Sequence, residues 1–139
     1  MIFKPEMYTA ILAGRKTQTR RLEDPGDRYH GTWVERNGRR KWRVGDVYAI
    51  QPGRGQPALG HIVLLRISLQ PLQDISPKEV MAEGIYFGYP DSHGFRSELV
   101  PEFARTWDSI HRKPGTRWAD NPHVWVLTFK LVEAPGARP

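Results

Sequence analysis

Residues 11–22 have the sequence ILAGRKTQTRRL, which combines three structural signals in one short span. First comes the end of an apolar helix, and Gly14 follows where a left-handed residue commonly terminates a helix. The remaining KTQTRRL alternates as a strand does, which places Lys16 and Thr19 on opposite faces. Those two side chains can converge only if Lys16 still lies in the turn after Gly14. The segment therefore predicts a helix, a turn and a strand, with cations and hydroxyls just past the helix end.

The composition is typical of a globular protein with one core. The chain has 139 residues, of which 39% are hydrophobic, and it contains no cysteine. This length predicts a single domain over residues 1–133, followed by a frayed tail over residues 134–139. No apolar run approaches the roughly 20 residues that a membrane span requires, and the N-terminus lacks the apolar core of a signal peptide. We therefore expect a cytoplasmic protein without disulfides and without a membrane partner.

The positive charge of the chain is concentrated in one segment. The net charge is +6, and residues 14–43 contain ten Lys/Arg and four Asp/Glu, so this segment accounts for all of it. A localised excess of cations favours an anionic partner, with nucleic acid as the first candidate. The alternative is a basic loop that is merely solvated.

Further along the chain, the sequence predicts two more helices and several strands. Asn37-Gly38 is a favoured two-residue hairpin turn, and Ser76 with Glu79 forms the capping box of a short helix. Residues 97–111 predict a longer helix, and residues 123–133 alternate as a closing strand. This order is not a repeated strand–helix–strand alternation. We expect an α+β fold, a small mixed β-barrel flanked by two or three helices.

Four blocks of the sequence together resemble the ASCH domain family of the PUA-like superfamily. They are AILAGRKTQTRR, WRVGDVYAIQPG, DISPKEVMAEG and VWVLTFKL, in that order. The first block is the most specific of the four. The shared motifs do not cover the insertion over residues 23–41 or the loop over residues 85–95. The resemblance implies a curved barrel with a cleft that takes RNA or a nucleotide-like ligand.

The resemblance also implies a possible chemistry. Some small members of the family are amidohydrolases that remove the acetyl group from N4-acetylcytidine, and their catalytic Lys, Thr and Glu match Lys16, Thr19 and Glu83 here. Other members are ribonucleases with a different residue set, whose positions in this chain the resemblance does not give. Physically, a threonine hydroxyl needs a base, and a lysine in a dry pocket can be that base. The simpler alternatives are an exposed strand edge for Lys16 and Thr19, and a surface charge for Glu83.

Several further residues are candidates for ligand binding. A guanidinium such as that of Arg21 can form paired hydrogen bonds to phosphate or to a base edge, unless it pairs with Glu23 or Asp46. Aromatic side chains can stack on bases, although Trp42 is equally suited to the core. The expected ligand-binding set is Arg15, Thr17, Arg21, Arg54, Trp42 and Tyr86.

Two functions from different classes follow from these observations. One is a binding module for RNA or a modified nucleoside, and the other is a hydrolase of acylated cytidine. A ribonuclease is a weaker third alternative. The five histidines are scattered without the spacing of a zinc site, so we expect no metal and no cofactor. The sequence does not predict an oligomeric state.

Overall fold

The computed structural model describes residues 1–85 and 95–133. These residues contain three α-helices, seven β-strands and two short 3₁₀ turns, at Leu72–Asp74 and Trp118–Asp120. None of the described helices is both long and apolar enough to cross a membrane. The helices are α1 (Pro5–Leu12), α2 (Pro77–Ala82) and α3 (Phe95–Ile110), and the strands are β1 (Gln18–Leu22), β2 (Asp27–Tyr29), β3 (Trp33–Arg36), β4 (Arg39–Arg43), β5 (Val47–Ile50), β6 (Gly60–Pro71) and β7 (His123–Val132).

The strands form two antiparallel sheets. The larger sheet has the order β1-β7-β6-β5, and the smaller sheet has the order β2-β3-β4. The α+β prediction is confirmed. The predicted barrel is not confirmed, because β1 and β5 remain outer strands and the pairings among the described residues do not join the sheets into a closed ring. The insertion over residues 23–41 forms most of the smaller sheet instead. The predicted tail, residues 134–139, lies outside the described residues.

Two local sequence signals are found as predicted. Asn37 and Gly38 have φ values of 53° and 80°, which are the left-handed values that a type I′ hairpin turn needs between β3 and β4. The Ser76 hydroxyl accepts from the Glu79 amide, and the Glu79 carboxylate accepts from the Ser76 amide. This capping box fixes the start of α2, so it also fixes where the residues after α2 lie.

The core lies on both sides of the central strand β7. On one side, α2 and α3 pack against it and contribute Val80, Leu99 and Trp107. On the other side, Trp125 and Leu127 pack against residues from the smaller sheet. Because both faces are covered, β7 is almost continuously buried rather than alternating.

A buried carboxylate connects the two sheets. Asp27 of β2 accepts a hydrogen bond of 2.7 Å from the indole nitrogen of Trp125 and one of 2.6 Å from Nε of Arg36. Burial alone would raise the pKa of Asp27, but the hydrogen bonds from Arg36, Trp125 and the Asp24 amide outweigh it, so the pKa lies below its usual value. The smaller sheet is thereby held in place against the larger one.

Candidate functional site

The turn after α1 places Lys16 ahead of the strand. Gly14 has a φ of +78°, and the Arg15 and Lys16 amides both donate to the Ala10 carbonyl, at 2.9 and 3.1 Å. Strand β1 begins only at Gln18. Strand alternation therefore does not govern Lys16, and its side chain reaches the same cleft as Thr19.

This cleft, called the Lys16 cleft below, has a volume of about 280 Å³. It lies between the N-terminal segment, β1, the end of α2 and the second half of α3. Its lining is partly polar and cationic and partly apolar. The polar lining residues are Lys16, Thr19, Arg20, Arg21, Glu83 and His111, and the apolar ones include Phe3, Phe103, Trp107 and Ile110.

The amine of Lys16 is buried and bound to backbone oxygens. Its Nζ donates to the carbonyl of Gln18 at 2.6 Å and to the carbonyl of Glu83 at 2.8 Å. The carboxylate of Glu83 is farther away, with Oε1 3.6 Å from Nζ. Burial lowers the pKa of Lys16, and the attraction of the Glu83 carboxylate only partly opposes this. The site therefore favours the neutral amine more than water does.

Arg20 is a residue of the site that the sequence reasoning missed. Its Nη1 donates to Oε2 of Glu83 at 2.8 Å and to the side chain of Gln18 at 3.1 Å, while Nη2 donates to Glu79 at 2.8 Å. Arg20 is 4% exposed, and its ion pair with Glu83 is buried, whereas its ion pair with Glu79 is partly exposed. The sequence did contain a signal for a buried cation here. Glu79 and Glu83 are four residues apart, so both carboxylates lie on one helical face. Arg20, Glu83 and Lys16 form one cluster, called the buried ionic cluster below.

Arg21 lies at the cleft with its guanidinium 5.1 Å from the centre of the Phe3 ring. Its Nη2 donates to the carbonyl of Ile2 at 3.1 Å, and burial lowers its pKa. Arginine nevertheless stays charged at neutral pH. Within the described residues it forms no ion pair with Glu23 or Asp46, the alternative role that the sequence allowed. It therefore presents a charged fork to the cleft.

His111, just after α3, was not predicted either. Its ring stacks on Trp107 with centroids 3.7 Å apart, and its Nδ1 is 3.1 Å from the carbonyl of Trp107. Burial lowers the pKa of His111, and the nearby charges of Arg21 and Lys4 lower it further. At neutral pH the imidazole is therefore uncharged, and it lines the cleft together with Trp107. A single histidine at a helix end gives no signal in the sequence.

The other predicted binding residues lie outside this cleft. Arg15, Thr17 and Arg54 are exposed, and none of them lines it. Trp42 is only 5% exposed because it pairs with Val34 across the smaller sheet, facing the core. Its predicted stacking role is therefore not supported. Tyr86 lies outside the described residues.

Residues 1–85 and 95–133 contain no group of three His, Asp or Glu side chains placed to hold a metal ion.

Gly84 lies in the turn after α2, close to the side chains of Lys16 and Ala10. Its φ is +94°, and a Cβ there would lie 3.0 Å from Cβ of Lys16 and 3.2 Å from Cβ of Ala10. We expect Gly84→Ala to lower the free energy of unfolding by roughly 2–4 kcal/mol, through backbone strain plus overlap. Urea denaturation measures this loss.

The control for this substitution is Gly55→Ala. Gly55 also has a positive φ, +74°, but nothing lies within 4 Å of the added carbon. We expect Gly55→Ala to lower the free energy of unfolding by about 1 kcal/mol, from backbone strain alone. Equal losses for the two variants would contradict the close approach of Gly84 to Lys16.

Comparison with known proteins identifies the fold. No family model matches the chain, and no curated protein matches it. The solved structures that match include a crystal structure of a DUF984 protein from Enterococcus faecalis and one of an ASCH domain from Lactobacillus crispatus. The first has 17% identity and a TM-score of 0.60 over 95% of this chain and 74% of its own. The second has 20% identity and a TM-score of 0.54 over 96% of this chain and 79% of its own.

The chain has an ASCH-type fold. The resemblance that starts from ILAGRKTQTRRL is confirmed at the level of the fold. In this ASCH-type fold the Lys16 cleft lies where β1 meets the ends of α2 and α3, so residues far apart in the sequence meet there.

Proposed function

We propose that the protein binds a nucleoside-sized ligand, a cytidine or modified cytidine free or within RNA, in the Lys16 cleft. The observation that carries this proposal is the composition of the cleft lining. The lining combines the buried ionic cluster and Arg21 with aromatic side chains, among them the stacked rings of Trp107 and His111. A nucleobase needs both kinds of group, because its edges form hydrogen bonds and its faces stack.

The size of the cleft supports a small ligand. Its volume of about 280 Å³ lies near the lower end of the range for small-molecule sites. A single nucleoside fits this size better than a stacked oligonucleotide does. If the nucleoside belongs to an RNA, its base must leave the stack to enter, as in other single-base recognition.

Arg21 is expected to orient this ligand through its planar fork. Arg21→Lys keeps the charge but loses the paired donors, so we expect the affinity for cytidine to fall about tenfold. Isothermal titration calorimetry with cytidine, N4-acetylcytidine and uridine measures this loss and the base preference.

The matched control is Arg105→Lys. Arg105 is on α3 with its side chain 60% exposed and paired with Glu102, outside the cleft lining. It should bind cytidine as the parent does. If Arg21→Lys also bound like the parent, Arg21 would not contact the ligand, and if the parent bound none of the three nucleosides, the proposal would fail.

A second candidate function, hydrolysis of N4-acetylcytidine, is favoured by the state of Lys16. A neutral lysine has two N–H donors and one lone pair. Two backbone carbonyls accept from Nζ within 2.8 Å, so the neutral amine keeps both hydrogen bonds and has its lone pair free. Burial lowers the pKa of Lys16 toward this form. A general base requires such a group.

The proposed reaction begins at the hydroxyl of Thr19. Nζ of Lys16 takes the hydroxyl proton of Thr19 while Oγ of Thr19 attacks the acetyl carbonyl carbon. The bond between that carbon and N4 breaks, and N4 leaves as the amine of cytidine with the proton returned from Lys16. Water then hydrolyses the acetyl-threonine ester, releasing acetate and restoring the hydroxyl. Glu83 holds Lys16 in place through its backbone carbonyl and its carboxylate.

A further inference from the structure

A second, larger groove lies on the smaller sheet. It has a volume of about 560 Å³ and is lined by Thr32, Trp33, Gly38, Arg40 and Arg43. We call it the β3–β4 groove. It shares no lining residue with the Lys16 cleft, and it is built mainly from the insertion that the ASCH motifs do not cover.

A β-bulge places its two arginines on one face. Arg40 and Arg43 are three residues apart, so a regular strand would point them to opposite sides. The pairing of β3 with β4 shifts between Val34 and Glu35, which leaves Lys41 as an extra residue on β4. The bulge restores the alternation, so both arginines line the groove while Trp42 between them stays in the core.

An aromatic surface lies beside these cations. Trp33 is only partly buried and pairs directly with Arg43 across the strands. The ring of His30 stacks on the indole of Trp33 at 4.1 Å and 16°. The His30 ring is itself 3.1 Å from the Glu35 carboxylate. Trp33 therefore lines the groove with one face covered by His30.

The charge around the groove is positive. Arg39 and Lys41 are exposed on the same strand as Arg40 and Arg43. Two carboxylates oppose these four cations: Glu35 contacts His30, and Asp46 is 3.6 Å from Nε of Arg40. These six side chains together leave an excess of two positive charges.

We infer that the β3–β4 groove binds an unpaired polynucleotide strand. One base stacks on Trp33, and the guanidinium groups of Arg40 and Arg43 contact the adjacent phosphates. An aromatic ring beside mobile cations is the usual combination for single strands, because every base has a stacking face and every linkage has a charge. This site is separate from the Lys16 cleft and does not depend on it.

The test is fluorescence anisotropy with a short labelled oligouridine over a range of salt concentrations. We expect Trp33→Leu to weaken binding about tenfold, through loss of stacking, and Trp33→Phe to retain most of the affinity. The double variant Arg40→Ala/Arg43→Ala should reduce the slope of log K against log salt by about 1.4, which corresponds to two phosphate contacts. The charge-matched control Arg112→Ala/Lys113→Ala should keep the parent slope.

Oligothymidine and a duplex of the same length separate the possible ligands. Tighter binding of oligouridine identifies RNA, and equal binding of both single strands identifies any unpaired strand, so either result supports the inference. Three results would overturn it: Trp33→Leu binding like the parent, the duplex binding as tightly as the single strand, or the control pair losing as much affinity.

Cytidine titrations keep this site distinct from the Lys16 cleft. The Trp33 and Arg40/Arg43 variants should bind cytidine like the parent. If the parent binds no cytidine while Trp33→Leu still weakens oligouridine binding, the proposal for the cleft fails and the groove stands. If cytidine binds normally and Trp33→Leu has no effect on oligouridine binding, the inference for the groove fails and the proposal for the cleft stands.

Discussion

Replacing Lys16 by Met or Thr19 by Val is expected to lower the rate at which the protein releases cytidine from N4-acetylcytidine by at least about 100-fold. The reason is that a general base contributes about 10²–10⁴ to a rate, and without the hydroxyl there is no nucleophile. Combining the two substitutions should cost little more than either alone, since the two residues act as one unit. Chromatography of the released cytidine measures each rate.

Thr9→Val and Lys78→Met are the matched controls, because both positions are exposed on helices outside the cleft lining. They should hydrolyse N4-acetylcytidine like the parent. The parent rate should also rise with pH as Lys16 loses its proton, and it should level off below the ordinary lysine value of 10.5, because burial lowers this pKa. No cytidine from the parent at high protein concentration would exclude the amidohydrolase and leave the binding proposal intact.

Glu83→Gln should be the most destabilising conservative substitution at the site. It keeps the shape of the side chain but leaves the buried guanidinium of Arg20 without the buried carboxylate that pairs with it at 2.8 Å. Breaking a buried ion pair from one side costs about 3–5 kcal/mol, and we expect a loss in this range for the free energy of unfolding. Urea denaturation followed by circular dichroism gives the value.

Glu102→Gln is the control for Glu83→Gln. Glu102 is also paired with an arginine, Arg105, but the pair is exposed, so its loss should cost less than about 1 kcal/mol. If Glu83→Gln unfolded at the same urea concentration as Glu102→Gln, the ionic cluster would not be part of what holds the cleft together.

The sequence predicted those parts of the fold that depend on neighbouring residues. The Asn37-Gly38 turn and the Ser76 capping box follow from local backbone preferences, and both are present. The barrel was predicted from the order of elements and from the family resemblance, and neither determines which strands of this chain pair. The β2-β3-β4 strands pair with one another and are held to β7 through Asp27 and Trp125, which are 98 positions apart in the sequence.

Part of the site was predicted because some of its residues are close to one another in the sequence. Lys16, Thr19 and Arg21 are close in sequence, and the turn at Gly14 brings all three to the cleft. Arg20 was missed because strand alternation assigns it to the opposite face from Thr19, yet both faces of β1 are covered at that point and both residues are buried. His111 reaches the cleft only through the packing of α3, which no local pattern determines.

The most direct test of a nucleoside site in the Lys16 cleft is a titration of the ¹⁵N-labelled protein with N4-acetylcytidine and cytidine, followed by amide chemical shifts. We expect saturable shifts at residues 16–21, 83–85 and 103–111, with about tenfold more ligand needed to reach half-saturation in Arg21→Lys but not in Arg105→Lys. Shifts confined to residues 32–43, or no saturable shift at all, would contradict it.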